Sequence, residues 1–409
     1  MLTLEHIEAA SRVISGVIRP TPLVYNPSLS RLTGSEVWLK AECLQQTGSF
    51  KIRGAYHKMA LLGEEERARG VVTASAGNHA QGVSLAAREL GIHATIVMPV
   101  GTPLTKEMRT RGFNPKAEVI LSGSDYDAAQ ALAYELAREK GYTYVHAFDD
   151  LEVMAGQGTI GLELLAQGLP DFDVVLVPIG GGGMMAGIAT VLRALRPRVT
   201  IVGVQVERCP SAFVALKEGH PQLVPSLDTI AEGIKVRKTG DKPFELLKRY
   251  VDEVVLVSEE QTAEAITWLL DDAKLVVEGS GAVAVAALLA GAVRWPGKRV
   301  AAVLSGGNID LGLLARIVEH RLTQTWRYTW FELDVPDRPG ELSKVVQVLA
   351  ENKVNVLDVE HHRAGWRVPL NFVSISFLVE TRNQGHADQV RRSLDERGYM
   401  VKSYGPRSG

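Results

Sequence analysis

Short, strongly apolar segments recur along the first three quarters of the chain, each followed by glycine or polar residues and then by a helical pattern. They begin at Val71, Ala94, Ala117, Tyr142, Val174, Val199, Glu253 and Arg299. Near-continuous apolar strands that alternate with helices are typical of a mostly parallel sheet with helices on both faces. The sequence therefore predicts an α/β body, and the small polar residues after these strands predict a ligand site at the carboxyl ends of its sheet.

The pattern changes near Arg321, and the rest of the chain reads strand, helix, strand, strand, helix, strand. The first helix is predicted to present one apolar face, consisting of Leu342, Val345, Val346 and Leu349. A strand is predicted to end the chain at Tyr399 to Val401. This βαββαβ order predicts a ferredoxin-like module. The expected division is a body over residues 1–322 and a module over 326–409.

Composition and charge exclude several classes of protein. The 409 residues carry a formal net charge of −2 and show no basic stripe, so a nucleic-acid partner is not expected. Cys43 and Cys209 lie far apart and outside any metal-like spacing, which fits a reducing compartment. The first residues are acidic where a leader would be basic, and no apolar run is long enough for a membrane span. A cytoplasmic protein without a metal is expected.

Four consecutive glycines, Gly180 to Gly183, follow the apolar strand that begins at Val174. Their unobstructed N–H groups, at the start of the following helix, are suited to bind a phosphate. The same stretch also fits G-x-G-x-x-A through Gly181, Gly183 and Ala186, so a nicotinamide-dependent oxidoreductase is an alternative.

Two further polar stretches follow apolar strands. In Ser75-Ala76-Gly77-Asn78-His79, helix-start donors and two polar side chains could bind a carboxylate or a phenolic oxygen, but Ser and Asn are also common helix caps. His79 is predicted to be packed behind the turn. In Ser305-Gly306-Gly307-Asn308, the serine could make one hydrogen bond to a ligand ring or could cap a helix.

Lys51 stands between Phe50 and Ile52, which is an apolar neighbourhood for a side chain that is usually solvated. A lysine amine condenses with an aldehyde only when it is neutral, so burial or neighbouring charges must lower its pKa. A phosphate-bearing aldehyde cofactor would use this amine and all three polar stretches. That cofactor is pyridoxal phosphate (PLP). We expect the three stretches to lie at the strand ends of one sheet.

With these residues the chain resembles the fold-type II PLP enzymes, and within them the threonine ammonia-lyases. The resemblance covers about residues 5–320 and rests on the motifs in order: Gly48 to Ala55, Ser75 to Gly82, Gly180 to Gly183 and Ser305 to Asn308. The last module resembles a single ACT domain through Asp337-Arg338-Pro339-Gly340. The resemblance to fold-type II PLP enzymes implies a two-lobed body with a smaller lobe, about residues 54–153, inserted in the larger one.

The resemblance also implies roles for individual residues. Lys51 would bind the cofactor as an imine and then remove the substrate α-proton; Asn78 would bond the ring hydroxyl and Ser305 the ring nitrogen. Gly180, Gly181, Gly182 and Gly183 would bind the phosphate. The substrate carboxylate would lie among Ser75, Gly77, Asn78 and His79. The implied reaction is β-elimination, from L-threonine to 2-oxobutanoate and ammonia, with L-serine to pyruvate as a side activity.

Two departures from related serine racemases favour elimination and argue against a metal. Those relatives carry a second serine where this chain has Ala76, and carboxylates where it has Gln205 and Ser211. A serine racemase or another β-eliminating PLP enzyme remains an alternative, as does an amino-acid binder that has lost catalysis.

For the ACT-like module the resemblance implies allosteric control. An amino acid such as isoleucine, or valine as an opposing signal, would bind at Asp337, Arg338, Pro339 and Gly340. ACT modules typically pair, so a homo-oligomer, dimer or tetramer, is expected. The alternative is a module that only joins subunits.

Overall fold

A computed structural model describes residues 1–167, 171–363 and 370–405. The chain divides into two compact units, Met1–Asp310 and Leu311–Gly409, each of which is described by itself. The sequence places this division after residue 322, whereas in the structure the helix that begins at Leu311 groups with the second unit.

The first unit alternates strands and helices. Its strands are β1 (Leu23–Tyr25), β2 (Glu36–Ala41), β3 (Val71–Ala74), β4 (Ala94–Met98), β5 (Glu118–Leu121), β6 (Thr143–Tyr144), β7 (Val174–Pro178), β8 (Thr200–Val206), β9 (Glu253–Val257) and β10 (Arg299–Leu304). Its helices are α1 (Leu4–Ile14), α2 (Pro27–Thr33), α3 (Lys51–Ala60), α4 (Glu64–Arg69), α5 (Asn78–Leu90), α6 (Leu104–Phe113), α7 (Tyr126–Lys140), α8 (Leu151–Ala166), α9 (Gly183–Leu195), α10 (Ser211–Glu218), α11 (Asp241–Tyr250), α12 (Glu259–Asp271) and α13 (Gly279–Leu289).

These strands form two sheets. The larger has the order β1-β2-β10-β7-β8-β9, in which β1 pairs antiparallel with β2 and the other pairs are parallel. The smaller sheet has the order β5-β4-β3-β6 and is parallel. In the sequence, its strands lie between β2 and β7 of the larger sheet. The predicted α/β class and all eight predicted strands are confirmed, although β6 has two residues. The prediction did not include β1 or β2.

The apolar strands are buried because helices cover them. Every residue of β3, β4 and β7 is buried. This is usual for parallel strands whose residues are apolar throughout and do not alternate with polar ones. Helix α13, which is composed of small and aliphatic residues, packs against β7 and β10 of the larger sheet. This packing fixes the strand ends from which the polar loops project.

The second unit contains α14 (Leu311–Gln324), β11 (Tyr328–Pro336), α15 (Glu341–Glu351), β12 (Asn355–His362), β13 (Phe372–Glu380), α16 (Gln384–Glu396) and β14 (Val401–Gly405). Its sheet has the order β12-β13-β11-β14 and is antiparallel throughout. After α14, the elements follow the predicted βαββαβ order, which confirms the ferredoxin-like module.

Two details of this module differ from the prediction. In α15 the buried residues are Val345, Val348 and Leu349, whereas Leu342 and Val346 are about two-fifths exposed. The buried face of α15 is therefore rotated slightly from the predicted face. Four apolar residues in the sequence define the centre of such a face only to within about one residue. The last strand begins at Val401, because Tyr399 still belongs to the turn after α16.

No helix in the described parts of the chain combines the length and the apolar character that a bilayer span requires.

Candidate active site

The three predicted polar loops come together, but they do not project from one sheet. Ser75 to Asn78 follow β3 of the smaller sheet, while Gly180 to Gly183 follow β7 and Ser305 follows β10 of the larger sheet. The prediction of a single sheet is therefore wrong. The candidate site lies where the carboxyl ends of both sheets meet. Asn78, in the loop after β3, and Asn308, in the loop after β10, bond directly across this junction.

Lys51 is the first residue of α3, and the segment before it is tied to the loop after β10. The N–H of Phe50 donates to the carbonyl of Ser305 at 3.2 Å, and that of Gly307 donates to Gly48 at 2.8 Å. These bonds place the start of α3 beside the end of β10. Lys51 is thus held next to Ser305 by backbone contacts.

Ion pairs of Arg53 fix the same first turn of α3. Arg53 is 1% exposed and donates from two nitrogens to the carboxylate of Glu42, both at 2.8 Å. It also bonds Glu163 of α8 at 2.5 Å, and Lys40 of β2 bonds the same carboxylate at 2.6 Å. Bidentate arginine–carboxylate pairs of this kind specify geometry as well as charge. The helix that carries Lys51 therefore has little freedom to turn or slide.

The amine of Lys51 has an apolar setting and a single neutral partner. Its Nζ donates to the carbonyl of Ala147 at 2.9 Å and lies 5.2 Å from the centre of the Phe50 ring. Among the described residues, no carboxylate lies within ion-pair distance of it. Burial lowers the pKa of Lys51 to about 8, against an opposing contribution from Glu278. Such an amine is neutral near pH 7 more often than that of an ordinary lysine, whose pKa is higher.

The glycine loop presents free donors at the start of α9. Within the described residues, the N–H groups of Gly180 to Gly183 donate no hydrogen bond. A Cβ at Gly181 would collide with the Phe148 ring, and one at Gly183 would lie 2.7 Å from the carbonyl oxygen of Phe148. Gly182 has a φ of 97°, which disfavours a side chain. The close approach of Phe148 and this backbone geometry explain why the loop consists of glycine.

The loop after β3 also has free donors, at the start of α5. The helix cap is Gly77, and Ser75 Oγ accepts from the N–H of Gly77 at 3.2 Å. Asn78 is therefore the first helical residue, and its side chain does not cap α5. In the described chain, the N–H groups of Asn78, His79 and Ala80 have no acceptor. Such a first turn favours an anion.

The side chain of Asn78 is bonded on both sides. Its Nδ2 donates to Glu278 Oε1 at 2.6 Å, and its Oδ1 accepts from Asn308 Nδ2 at 2.8 Å. Burial raises the pKa of Glu278 to about 7, although the bond from Asn78 acts in the opposite direction. Sequence reasoning gave neither Glu278 nor Asn308 a role, because contacts across 200 and 230 residues leave no local pattern.

His79 lies behind this loop. It is 3% exposed, and its Nε2 lies 3.0 Å from the carbonyl of Val145. Burial lowers its pKa to about 3, so the ring is neutral and Nε2 donates to that carbonyl. The side chain supports the loop, and what His79 can offer a ligand is its backbone N–H.

Ser305 is buried at the end of β10, close to two other hydroxyl groups. Its Oγ donates to the carbonyl of Ser280 at 3.2 Å, which is long for a hydroxyl donor. Ser280 Oγ and Ser49 Oγ are buried and have no hydrogen-bond partner among the residues that the structure describes. Ser305 is not at a helix cap, because the next helix begins six residues later. The region is therefore polar and incompletely satisfied.

Gln205 and Ser211 stand where related serine racemases carry carboxylates, and here their side chains have structural contacts, including one to each other at 3.4 Å. Gln205 Oε1 accepts from the N–H groups of Ala212 and Phe213, both at 2.9 Å, and so caps α10. Glu207 is exposed. The described residues contain no group of three or more His, Cys, Asp or Glu side chains placed to hold a metal ion. Cys43 and Cys209 are buried and free.

In the second unit, Asp337 to Gly340 form an exposed turn between β11 and α15. Asp337 lies 3.5 Å from the guanidinium of Arg363, and its N–H donates to the carbonyl of Asn371. Gly340 caps α15 with a φ of 91°. This turn is accessible to a ligand of a few atoms.

The residues at the sheet junction fit PLP group by group. Four unpaired N–H groups fit the phosphate, and the amine of Lys51 fits the aldehyde. A remaining N–H of Asn78 fits the ring oxygen, and the weakly bonded hydroxyl of Ser305 fits the ring nitrogen. The free first turn of α5 fits a substrate carboxylate.

Comparison with known proteins agrees with this geometry. Residues 14–306 match the family model described as pyridoxal-phosphate dependent enzyme, and residues 329–398 match the ACT domain. The sequence is 48% identical over 405 residues to an L-threonine ammonia-lyase of Thermotoga maritima, covering 99% of this chain and all of that protein.

Solved structures also match much of the chain. Threonine deaminase isoform 2 of Solanum lycopersicum has a TM-score of 0.73 and 38% identity, covering 77% of this chain and 91% of that one. Maize serine racemase has a TM-score of 0.74 and 30% identity, covering 79% and 98%. The nicotinamide interpretation of the glycine loop has no support among these matches.

Proposed function

Since the chain belongs to the family of pyridoxal-phosphate dependent enzymes, we propose that it is an L-threonine ammonia-lyase. The reaction converts L-threonine to 2-oxobutanoate and ammonia, and L-serine, one methyl group smaller, is a secondary substrate that yields pyruvate. The Thermotoga maritima relative is named an L-threonine ammonia-lyase, which is a carbon–nitrogen lyase. Its match to this chain over nearly the whole length carries the proposal.

When bound, PLP withdraws electrons from the α-carbon of the substrate, which makes the α-proton removable. The chain supplies the groups that hold it. We assign the phosphate to the N–H groups of Gly180 to Gly183, the ring oxygen to Asn78, the ring nitrogen to Ser305 and the aldehyde to Lys51. The unpaired donors and the free amine support these assignments.

Lys51 is also the general base. Its amine has no carboxylate partner among the described residues and a pKa lowered to about 8 by burial, so it can accept a proton near neutral pH. The fixed start of α3 limits where Nζ can move, because Arg53 anchors the same helix turn.

The substrate carboxylate is assigned to Ser75, Gly77, Asn78 and His79. The free N–H groups of the first turn of α5 bind it, and the helix dipole adds to the attraction. His79 contributes its backbone, since its neutral ring is held by Val145.

Initial rates with L-threonine, L-serine and D-serine test the proposal. We expect ammonia and 2-oxobutanoate from L-threonine, a lower kcat/KM for L-serine and the lowest for D-serine. Absence of turnover of L-threonine by protein that shows bound PLP would refute the assignment.

Serine racemase is the second candidate, because the maize enzyme matches the fold. A racemase needs an acid or base on each side of the α-carbon. Ala76 cannot supply one from the loop after β3. Chiral analysis of L-serine reactions would separate the two functions, since racemisation yields D-serine and elimination yields pyruvate.

We further propose that Met1–Asp310 is the catalytic unit and that the ACT domain binds an amino-acid effector such as isoleucine at Asp337, Arg338, Pro339 and Gly340. The exposed turn supports this site. Rates measured with and without isoleucine or valine, in the full chain and in Asp337→Ala, test it. An unchanged response in the variant would exclude this turn as the effector site.

Two finer assignments complete the proposal. We assign the protein to the cytoplasm, which fits two buried, unpaired cysteines, and to a homo-oligomer, which fits the pairing typical of ACT modules. Light scattering at several protein concentrations measures the oligomeric state.

A further inference from the structure

Two side chains without an assigned role bond to the same amide, that of Asn78. Glu278, at the start of α13, accepts from Nδ2 at 2.6 Å, and Asn308, in the loop after β10, donates to Oδ1 at 2.8 Å. An asparagine amide has two N–H donors and one oxygen. These contacts use the oxygen and one donor, so one N–H of Asn78 is left.

The direction of the bond from Asn308 is fixed by its surroundings. Its Nδ2 also lies 2.7 Å from the carbonyl oxygen of Thr47, which can only accept, and 3.1 Å from the amide of Gln81. The Asn308 side chain lies against Gly48, where an added Cβ would collide with it. Asn308 therefore presents a nitrogen, and the atom of Asn78 that faces it must be the oxygen.

Glu278 imposes the same orientation from the other side. When Glu278 is ionised, its carboxylate only accepts, so the atom of Asn78 that faces it is then the nitrogen; the bond from Asn308 fixes the same orientation whether or not Glu278 is protonated. A flipped amide would set its oxygen against Glu278 and its N–H groups against those of Asn308. Both neighbours thus oppose the flip.

From this arrangement, which rests on the proposed function, we infer that Asn308 and Glu278 are positioning residues that hold Asn78 as a hydrogen-bond donor toward the ring oxygen of PLP. A donor there stabilises the ionised form of that oxygen, whereas a flipped amide would present a lone pair and repel it. The two residues thus act on the cofactor through Asn78.

The test uses the full chain and PLP itself. Asn308→Ala removes one of the two neighbours, and Glu278→Ala removes the other. Each variant is titrated with PLP to obtain a dissociation constant, and the ratio of visible to near-ultraviolet absorbance of the lysine-bound cofactor reports how far the ring oxygen is ionised. We expect each substitution to weaken binding about tenfold and to lower the ratio.

Two conservative variants and a matched control sharpen the result. Glu278→Gln keeps an acceptor for Asn78 and should bind PLP within about threefold of wild type. Asn308→Asp preserves shape but replaces the donor with an acceptor, so it should lower the absorbance ratio at least as much as Asn308→Ala. Asn114→Ala truncates an asparagine that is more deeply buried than Asn308, at 5% exposed, and whose Oδ1 accepts from the N–H of Lys116 and not from the site.

The outcomes separate this inference from the proposed function. If wild-type protein develops the visible band but Asn308→Ala and Asn308→Asp match Asn114→Ala in both readouts, positioning is wrong and the PLP assignment stands. If wild type binds no PLP, both fail. Thermal unfolding identifies a variant that does not fold, and Asn308→Asp and Glu278→Ala then decide the question.

Discussion

Lys40 and Lys51 are separated by eleven positions; Lys40 is buried and Lys51 is partly buried, and the surroundings of their amines are opposite. Lys40 is 0% exposed, and its Nζ contacts Glu163, the carbonyl of Thr21 and Gln167 at 2.6, 2.7 and 3.3 Å. Lys51 donates to one carbonyl, that of Ala147. Burial lowers the pKa of both amines; two carboxylates, those of Glu163 and Glu42, oppose this shift at Lys40, and one, that of Glu278, opposes it at Lys51.

The difference shows how one chain can use the same side chain for structure and for chemistry. A buried charge needs a partner, and Lys40 shares Glu163 with Arg53, so the amine stays charged and serves the packing of β2 against α8. Lys51 has no such partner among the described residues, so its neutral form is accessible. Four substitutions test this contrast.

The largest effect is expected from Lys51→Ala. Loss of the amine removes both the cofactor attachment and the base, so turnover of L-threonine should fall by about a thousandfold or more. The free energy of unfolding should stay within about 1 kcal/mol of wild type, because no ion pair is broken. Turnover, visible absorbance and urea unfolding measure the three quantities.

Arg53→Met should have the largest effect on stability. The substitution leaves the 0% exposed Glu42 without its bidentate partner, and breaking a buried pair in this way costs about 3–5 kcal/mol. Arg88→Met, which breaks an exposed pair with Glu89, is the control and should cost less than about 1 kcal/mol. Equal losses in urea unfolding would contradict the view that the buried cluster anchors α3.

Lys40→Met should destabilise the chain less, by about 2 kcal/mol, because Arg53 still neutralises Glu163. In contrast to Lys51→Ala, it should retain the visible absorbance of bound PLP. If Lys40→Met abolished that absorbance without unfolding, the division of roles between the two lysines would be wrong.

Glu278→Gln should produce the smallest and the most pH-dependent change. Burial raises the pKa of Glu278 from 4.5 to about 7, so between these values the unfolded chain holds fewer protons and the stability of the wild type falls as pH rises. The cofactor-free variant should therefore gain on the order of 1–3 kcal/mol relative to wild type at pH 8 and nothing at pH 4. Urea unfolding at both pH values measures the gain; the same gain at both would contradict this account.

The sequence predicted most of the fold because its strands are local apolar runs. Segments such as Val71–Ala74 and Val174–Pro178 formed strands where the runs predicted them. The assignment of these strands to two sheets was not predicted, since the choice of strand neighbours depends on pairings far apart in sequence. The shifted face of α15 has a similar origin, because its sheet partners decide which stripe is covered.

The candidate site divides in the same way. Lys51, Gly180 to Gly183, Asn78 and Ser305 stand in short motifs, and each could be selected from its neighbours in sequence. Asn308 stands in the same motif as Ser305, but its contact with Asn78, and that of Glu278, could not be predicted. Glu278 and Asn308 reach Asn78 across 200 and 230 residues, and the cluster of Lys40, Glu42, Arg53 and Glu163 joins β2, α3 and α8. From the sequence alone, charged side chains of this kind are predicted to be exposed, because most charged residues are. Only the fold shows that they lie together.

The central claim is that Lys51, and not another buried lysine, carries PLP. Borohydride reduction of the PLP-loaded protein, followed by proteolysis and mass spectrometry, tests it directly, because reduction fixes the cofactor to its amine. We predict one pyridoxyl-modified peptide, the one that contains Lys51, with a yield that matches the loss of L-threonine turnover. Modification of Lys40 or of another lysine in protein whose activity is lost, with Lys51 unmodified, would contradict the account.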